Sequence, residues 1–144
     1  ECSSEQLTRY RNKLSAPLLD RIDVQVSVPK IPGHMIMGQQ NKSTANWEQV
    51  KHTISQARGI QIKRQHKLNS LLEGNELQKV CQLNEKEEKD ILKMLEQLHI
   101  SARAFHKTLK LARTIADLEH SPVICRRHVT EAVSYRQFDK LMKD

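Results

Sequence analysis

The sequence predicts a mainly α-helical fold, a helical bundle preceded by a short segment with one β-strand. The 144 residues include only four Gly, four Pro, one Trp, two Tyr and two Phe. The second half is rich in Leu, Ile, Ala, Lys, Glu and Gln, which lose little side-chain freedom in a helix. From Trp47 onward, apolar residues recur at three- and four-residue steps, the period of a helix with one buried face.

The one strand is predicted over Asp23–Val28, where polar and apolar residues alternate, and Pro29 cannot continue a central ladder. A single strand is unstable without sheet neighbours, and no other stretch of the sequence shows this alternation. We therefore interpret residues 1–29 as the end of an α/β domain whose other strands are not in this sequence. Residues 30–45 contain Pro32, Gly33 and Gly38 without periodicity and are predicted to be a linker. Residues 46–144 then form the helical domain.

The first two helices are predicted from capping residues and spacing. Asn46 is a candidate N-cap for a helix running towards Gln65. The apolar stripe of this helix is predicted to be core: Trp47, Val50, Ile54 and Ala57. A second, short helix is predicted over Asn75–Gln82. Its inward residues are Leu77, Val80 and Cys81.

The next helix is predicted to start at Asn84, with Glu87 completing a capping-box pair. Its apolar face is Ile91, Leu92, Leu95 and Leu98. Ser101 is the candidate cap of a fourth helix that runs until the His120-Ser121-Pro122 break. The inward set of the fourth helix is Phe105, Leu109, Ala112 and Ile115 or Ala116. The last helix is predicted over Arg126–Met142, burying Val129, Ala132, Val133 and Leu141.

The net charge of +7 and the isoelectric point near 9.5 favour acidic partners: nucleic acid, ATP phosphates or a membrane surface. Two basic runs, Lys63–Lys67 and Arg126–His128, are candidates to line a nucleic-acid path. Solvated basic faces are the competing interpretation. No apolar run approaches the ~20 residues that cross a bilayer, and there is no targeting pattern, so we expect a soluble, cytoplasmic protein without a membrane partner.

Motifs for other chemistry are missing from the sequence. The three cysteines, Cys2, Cys81 and Cys125, are odd in number and widely spaced, which favours reduced thiols over disulfides or a zinc site. The seven histidines show no metal-ligand spacing, and no nucleophile–base arrangement stands out. No Gly-rich loop ending in Lys-Ser or Lys-Thr occurs, so the phosphate-cradling element of an ATPase is absent from the sequence.

Several sequence runs carry a family resemblance. They are Lys13–Asp23 with its Leu18-Leu19-Asp20-Arg21 element, Ser101–Ala104, Leu111–Leu118 and His128–Arg136. In these runs the chain resembles the C-terminal portion of magnesium-chelatase-like AAA+ ATPases of the ComM/YifB family. The resemblance implies that residues 1–29 are the end of an AAA+ α/β core, with the arginine-finger segment and last strand, and that residues 46–144 are the AAA+ lid domain.

The resemblance also implies site residues. Arg21 is the expected arginine finger, a catalytic residue acting in trans on the nucleotide of a neighbouring subunit. Such a finger contributes ~10³ to 10⁵ in rate by neutralising charge on the transferred phosphoryl group. Arg103 is the expected sensor-2 arginine, which contacts ATP phosphate. The competing structural interpretation makes Arg21 the partner of Asp20, of Asp23 or of a helix C-terminus, and Arg103 a group that solvates a helix end. Arg113 and Asp117, four residues apart, are interpreted as a structural intrahelical pair.

The expected function is therefore the lid and arginine-finger part of a ring-forming ATPase that couples ATP hydrolysis to DNA processing. Its expected cofactors are ATP and Mg²⁺, used by the full-length protein and not bound by this portion by itself. Its expected partners are its own upstream ATPase core, further copies of itself in a ring, and DNA. The main alternative is an independent basic helical module that binds nucleic acid or protein. A metal-inserting chelatase subunit ranks lower, because Ala112–Leu118 resembles ComM/YifB more than the pigment-pathway chelatases.

Overall fold

The computed structural model describes residue 3 and residues 21–31, 46–98 and 100–136. Within these ranges the regular structure is helical, as predicted. The helices are α1 (Trp47–Gln65), α2 (Gly74–Val80), α3 (Glu88–Gln97), α4 (Ala102–Leu118) and α5 (Arg126–Ser134), with a 3-10 turn at Asn69–Leu71. No helix in the described ranges is both long and apolar enough to cross a membrane.

Helix α1 has the predicted bounds. The Asn46 side chain caps it by accepting a hydrogen bond from the Gln49 amide (3.2 Å), and His66 ends it in the left-handed conformation with φ 59°. The prediction that its apolar stripe is core is wrong for three of four residues. Ala57 is buried, whereas Trp47, Val50 and Ile54 are 61%, 41% and 48% exposed. The helical bundle covers this face only over the C-terminal half of α1, where Ala57 and Gln61 are buried.

Helices α2 and α3 are shorter than predicted. Helix α3 begins at Glu88, and not just after Asn84, because residues 85–87 form a turn that the Asn84 side chain stabilises by accepting from the Lys86 amide. The predicted capping box is wrong, since the Glu87 carboxylate accepts from the backbone amide of Arg126 (2.9 Å). Of the predicted inward residues of α3, Ile91 and Leu95 are buried and Leu92 is exposed.

Helix α4 is the central element and packs against both α1 and α5. Ser101 caps its start, as predicted, by accepting from the Ala104 amide (3.1 Å). At its end the Ser121 amide bonds to Ala116 O and the His120 amide to Asp117 O, with His120 left-handed at φ 56°. These bonds form a Schellman motif, which satisfies the last carbonyl groups of the helix. The helix break predicted at residues 120–122 therefore coincides with this Schellman motif.

The core lies between α4 and the elements around it, and every helix after α1 contributes to it. Its buried members are Leu72, Leu77, Cys81, Ile91, Leu95, Leu109, Ala112, Ile115, Ala116, Ile124, Val129 and Ala132. Helix α5 contributes Val129 and Ala132, as predicted, but ends at Ser134 and not at Met142; Leu141 lies outside the described residues. A short parallel bridge between Leu83 and Ile124 joins the segments that precede α3 and α5.

The segment 21–31 has no regular secondary structure apart from a turn at Arg21 and a bend at Asp23. The predicted strand Asp23–Val28 is therefore not formed, and among the described residues no strand lies beside it. Unpaired backbone groups need a neighbouring strand to make a ladder, which is the physical reason for the difference. Instead the segment contacts the helices, since the Gln25 amide donates to Tyr135 O (2.8 Å). The boundaries at residues 29 and 45 stay predictions.

Candidate functional site

Arg103 lies in the first turn of α4, two residues after the Ser101 cap, and its side chain is exposed. Among the described residues it makes no hydrogen bond or ion pair. The N-terminus of a helix carries partial positive charge, so a cation there is electrostatically disfavoured by a few tenths to about 1 kcal/mol. An arginine in this position is not explained by the stability of the helix. The structure places it where a ligand outside the helical bundle can reach it.

Arg21 is exposed in a turn at the start of the segment 21–31. Asp20 lies outside the described residues, and Asp23 pairs with Lys107 (2.5 Å). Lys107 is one helical turn beyond Arg103 on α4, so the two side chains lie on one face of that helix. The structure therefore brings the segment that carries Arg21 to the face of α4 that carries Arg103.

The other end of α4 is built differently. The Arg113 guanidinium donates to Asp117 through Nη2 (3.0 Å) and Nε (3.2 Å), and both side chains are almost completely buried. Arg113 also donates to the carbonyl oxygens of Pro122 (3.0 Å) and Ser121 (2.5 Å). Burial lowers the pKa of Arg113, and the neighbouring Asp117 carboxylate opposes that shift. The predicted intrahelical pair is confirmed as a structural pair.

Asp117 also binds α1 and the 3-10 turn. Arg64 reaches across from α1 with Nη1 2.6 Å and Nη2 3.0 Å from the two Asp117 oxygens, a bidentate contact. Asn69 donates to Asp117 Oδ2 (2.8 Å) and accepts from both Arg64 and Gln65. Two arginines thus neutralise one buried carboxylate, and the network fastens the C-terminal half of α1 to α4. The sequence did not reveal it, because Arg64 and Asp117 are 53 residues apart.

Comparison with known proteins assigns the chain to a family. Residues 44–136 match the family model described as magnesium chelatase, subunit ChlI C-terminal, and residues 1–36 match that of magnesium chelatase, subunit ChlI. The chain belongs to the magnesium chelatase ChlI family. It is 42% identical over 141 residues to the uncharacterized protein YifB of Salmonella typhimurium and 40% identical over 141 residues to YifB of Escherichia coli.

Competence protein ComM of Haemophilus influenzae is 37% identical over 143 residues. Each of these three alignments covers 98% of this chain and 28% of the relative. The chain therefore spans little more than a quarter of the length of the curated relatives that it matches. The predicted resemblance to the ComM/YifB members of the ChlI family is confirmed.

The two basic runs are partly neutralised in this ChlI-family domain. In the first run, Arg64 belongs to the buried network and Lys67 pairs with Glu76. In the second run, Arg127 lies 2.8 Å from Glu119, and His128 is fully buried. Hydrogen bonds from His128 and then Arg127 lower the pKa of Glu119. Arg64, Lys67 and Arg127 are therefore engaged in ion pairs, which does not favour a continuous nucleic-acid path through the two runs.

Cys125 and His128 are brought together, but as a helix cap. His128 Nδ1 accepts from the Cys125 backbone amide (2.9 Å), and His128 Nε2 lies 3.1 Å from a Glu119 oxygen. Since Nδ1 is an acceptor, the ring proton is on Nε2 and is donated to Glu119. Both ring nitrogens of His128 therefore have partners other than the Cys125 sulfur. Cys81 is a buried thiol whose pKa is raised to about 11 by burial, so it is protonated at neutral pH.

A metal site is not formed by the described residues, since no group of three or more His, Cys, Asp or Glu side chains is close enough together to hold an ion. Cys2 lies outside the described residues. The described cysteines, Cys81 and Cys125, are both free.

Proposed function

We propose that this chain is the lid and arginine-finger part of a ring-forming AAA+ ATPase that couples ATP hydrolysis to DNA processing in the cytoplasm. The observation that supports it is the exposed Arg103 at the start of α4, on the same helix face as Lys107, which holds the segment carrying Arg21. Its partners are its own upstream ATPase core, which supplies the phosphate-binding loop, and identical subunits in the ring.

Arg103 is proposed to contact ATP phosphate. A guanidinium has five N–H donors in a planar fork, which matches the oxygens of a phosphate group. The neighbouring amides at the helix start add a favourable field for an anion, so that an anion would offset the unfavourable position of the arginine. Ser101 holds this first turn in place and thereby sets the direction of the Arg103 side chain.

Arg21 is proposed to act on the nucleotide of the next subunit. Its exposed side chain lies in the segment that Asp23 and Gln25 attach to the helices, so it is presented from an anchored backbone. In phosphoryl transfer, negative charge on the γ-phosphate oxygens and the leaving oxygen is stabilised by positioned cations. Such a contact strengthens as the transition state forms and therefore raises the turnover rate more than the affinity for ATP.

The described residues fit one of the two expected cofactors. ATP carries phosphate oxygens that exposed arginines can bind, and Arg103 meets that requirement. Mg²⁺ prefers carboxylate and water oxygens in octahedral geometry, and the described residues provide no cluster of acidic side chains for it. We therefore assign no Mg²⁺ ligand to them and propose no step through the ion. By itself the chain is expected not to hydrolyse ATP.

The DNA-processing part of the proposal rests on the relatives. One of them bears the name competence protein, and the net charge of +7 is compatible with a polyanionic partner. The alternative of an independent basic binding module is less well supported, because Arg64, Lys67 and Arg127 are engaged in ion pairs. For a metal-inserting role, the described residues provide no cluster of candidate metal ligands.

The proposal is tested in the full-length protein by ATP hydrolysis. Arg21→Ala is expected to lower kcat by ~10³-fold or more with a small change in KM, because the finger acts on the transition state. Arg103→Ala is expected to lower kcat and to raise KM, because a phosphate contact serves binding as well. Arg58→Ala is the matched control, since Arg58 is an exposed arginine on α1 and should leave both constants unchanged.

Mixed rings test whether Arg21 acts in trans. Arg21→Ala subunits are combined with subunits disabled in the phosphate-binding loop, each inactive by itself. In a mixed ring an intact Arg21 from one variant meets an intact nucleotide site of the other, so activity should be regained. Wild-type turnover by Arg21→Ala protein, or no recovery at any mixing ratio, would contradict the role of a finger in trans.

A further inference from the structure

Two of the polar contacts that attach the segment 21–31 to the helical domain lie two residues apart. The Asp23 carboxylate pairs with Lys107 Nζ on α4 (2.5 Å), and the Gln25 amide donates to Tyr135 O directly after α5 (2.8 Å). Gln25 is buried, whereas its neighbours Val24 and Val26 are exposed. The segment is therefore attached at Asp23 and at Gln25.

Lys107 is set apart from an ordinary surface lysine by its burial. Its side chain is 16% exposed and lines a cleft of about 260 Å³ together with Asp23, Ser70, Lys110, Leu111 and Thr114. The carbon stem of a lysine can be buried while its ammonium group stays at the surface and pairs with an acid. Asp23, whose side chain is 66% exposed, is the acid that pairs with Lys107. Lys110, the other lysine of the cleft, donates instead to the carbonyl oxygen of Ser70 (3.1 Å).

The Asp23–Lys107 pair lies close to both arginines along the chain. Asp23 follows Arg21 by two residues, which span at most about 7 Å when extended. Lys107 follows Arg103 by four residues, a rise of about 6 Å along the helix. The Asp23–Lys107 pair thus links the arginine of the segment to the arginine of α4 and restricts the movement of one relative to the other.

We propose that Lys107 is a positioning residue that holds Arg21 in place relative to Arg103 through its ion pair with Asp23. This rests on the proposed function of the two arginines. Lys107 itself contacts neither substrate nor reacting atoms. By fixing the segment to α4, it transmits any reorientation of the helical domain to Arg21, so that the two arginines are set together.

The tether itself is measured without ATP, by amide exchange in the 144-residue chain, in which the segment makes these two contacts. Lys107→Ala and Asp23→Ala should each accelerate exchange at the Gln25 amide by about threefold or more, because loss of the ion pair lets the segment open locally. Lys110→Ala, in the same cleft but bonded to Ser70, should not. Unchanged exchange at Gln25 in Lys107→Ala protein overturns the proposal, whatever the ATPase result.

The functional consequence is measured by turnover. Lys107→Ala should lower kcat about tenfold or more with KM for ATP unchanged, since misplacing a catalytic group by ~1 Å costs up to ~100-fold. The double variant Asp23→Ala/Lys107→Ala should be no slower than either single variant, and the swapped pair Asp23→Lys/Lys107→Asp should regain activity. Additive losses, no regain, or a wild-type kcat for Lys107→Ala overturn the positioning role.

Failure of the proposed function gives a different result. If Arg21→Ala itself retains wild-type turnover, the finger assignment fails and the positioning role fails with it, although exchange at Gln25 still reports the tether. If Arg21→Ala is inactive and Lys107→Ala is fully active, only the positioning role is overturned.

Discussion

Arg103 and Arg113 are ten residues apart on the same helix and have opposite environments. Arg113 is buried, bonded to Asp117 and to two backbone carbonyls, and surrounded by the apolar core. Arg103 is exposed and makes no hydrogen bond or ion pair with the described residues. The difference shows that α4 is built differently at its two ends. Its C-terminal half joins the helices, and its N-terminal turn leaves a cation exposed at the surface.

The strongest test of this comparison is Asp117→Ala. Removing this carboxylate leaves the buried Arg113 without its ionic partner and breaks the bonds of Arg64 and Asn69 to Asp117. We expect the free energy of unfolding to fall by about 3–5 kcal/mol, the range for breaking a buried pair on one side. Urea unfolding of the 144-residue chain followed by circular dichroism measures it. Glu96→Ala, an exposed acid on α3, is the control. A loss below about 1 kcal/mol would mean that the network adds little to stability.

Ser101→Ala should have an intermediate effect, because it removes the cap of α4. The expected loss is about 1 kcal/mol in the free energy of unfolding. Ser101→Asp is the matched control and should remain within about 0.5 kcal/mol of wild type, since aspartate caps as well as serine. The same urea titration decides between them. Equal losses in both variants would show that the serine acts through something other than its cap.

Arg103→Ala should have the smallest effect on stability. Replacing an exposed side chain that makes no cap and no core contact changes the free energy of unfolding by less than about 0.5 kcal/mol. Removing a cation from a helix N-terminus can even stabilise the helix. Thermal unfolding of the wild-type and variant chains tests this. A loss above about 1 kcal/mol in the free energy of unfolding would mean that Arg103 stabilises the fold as Arg113 does. The contrast between the two arginines would then not hold.

Local features of this fold could be predicted from sequence, and features that join distant segments could not. The caps Asn46 and Ser101 and the pair Arg113–Asp117 involve residues within four positions, so spacing reveals them. Glu87 was predicted to complete a local capping box but binds the amide of Arg126, 39 residues away. Helical period likewise reveals an apolar face but not how much of that face a neighbouring helix covers, which is why the α1 stripe was misjudged.

The residues of the candidate site could likewise be predicted from local runs of sequence, but their placement in three dimensions could not. Arg21 and Arg103 were found from runs of neighbouring residues that resemble a family. Their placement at one face of α4 depends on the Asp23–Lys107 contact, which spans more than eighty positions. Nothing in the sequence around Lys107 distinguishes it from Lys110, because both are lysines on the same amphipathic helix. Only their contacts in three dimensions separate them.

The separation of 53 residues between Arg64 and Asp117 has a consequence for how the chain folds. Helices α4 and α5 lie close in sequence, so their packing closes a short loop and can occur early. Docking of α1 closes a much longer loop and must bring Arg64 to the Asp117 carboxylate on α4. We expect α1 to join last, in a transition state that already contains the α4–α5 pair. Before that event Asp117 has Arg113 of its own helix as its ionic partner, and chain growth from the N-terminus makes α1 wait for α4.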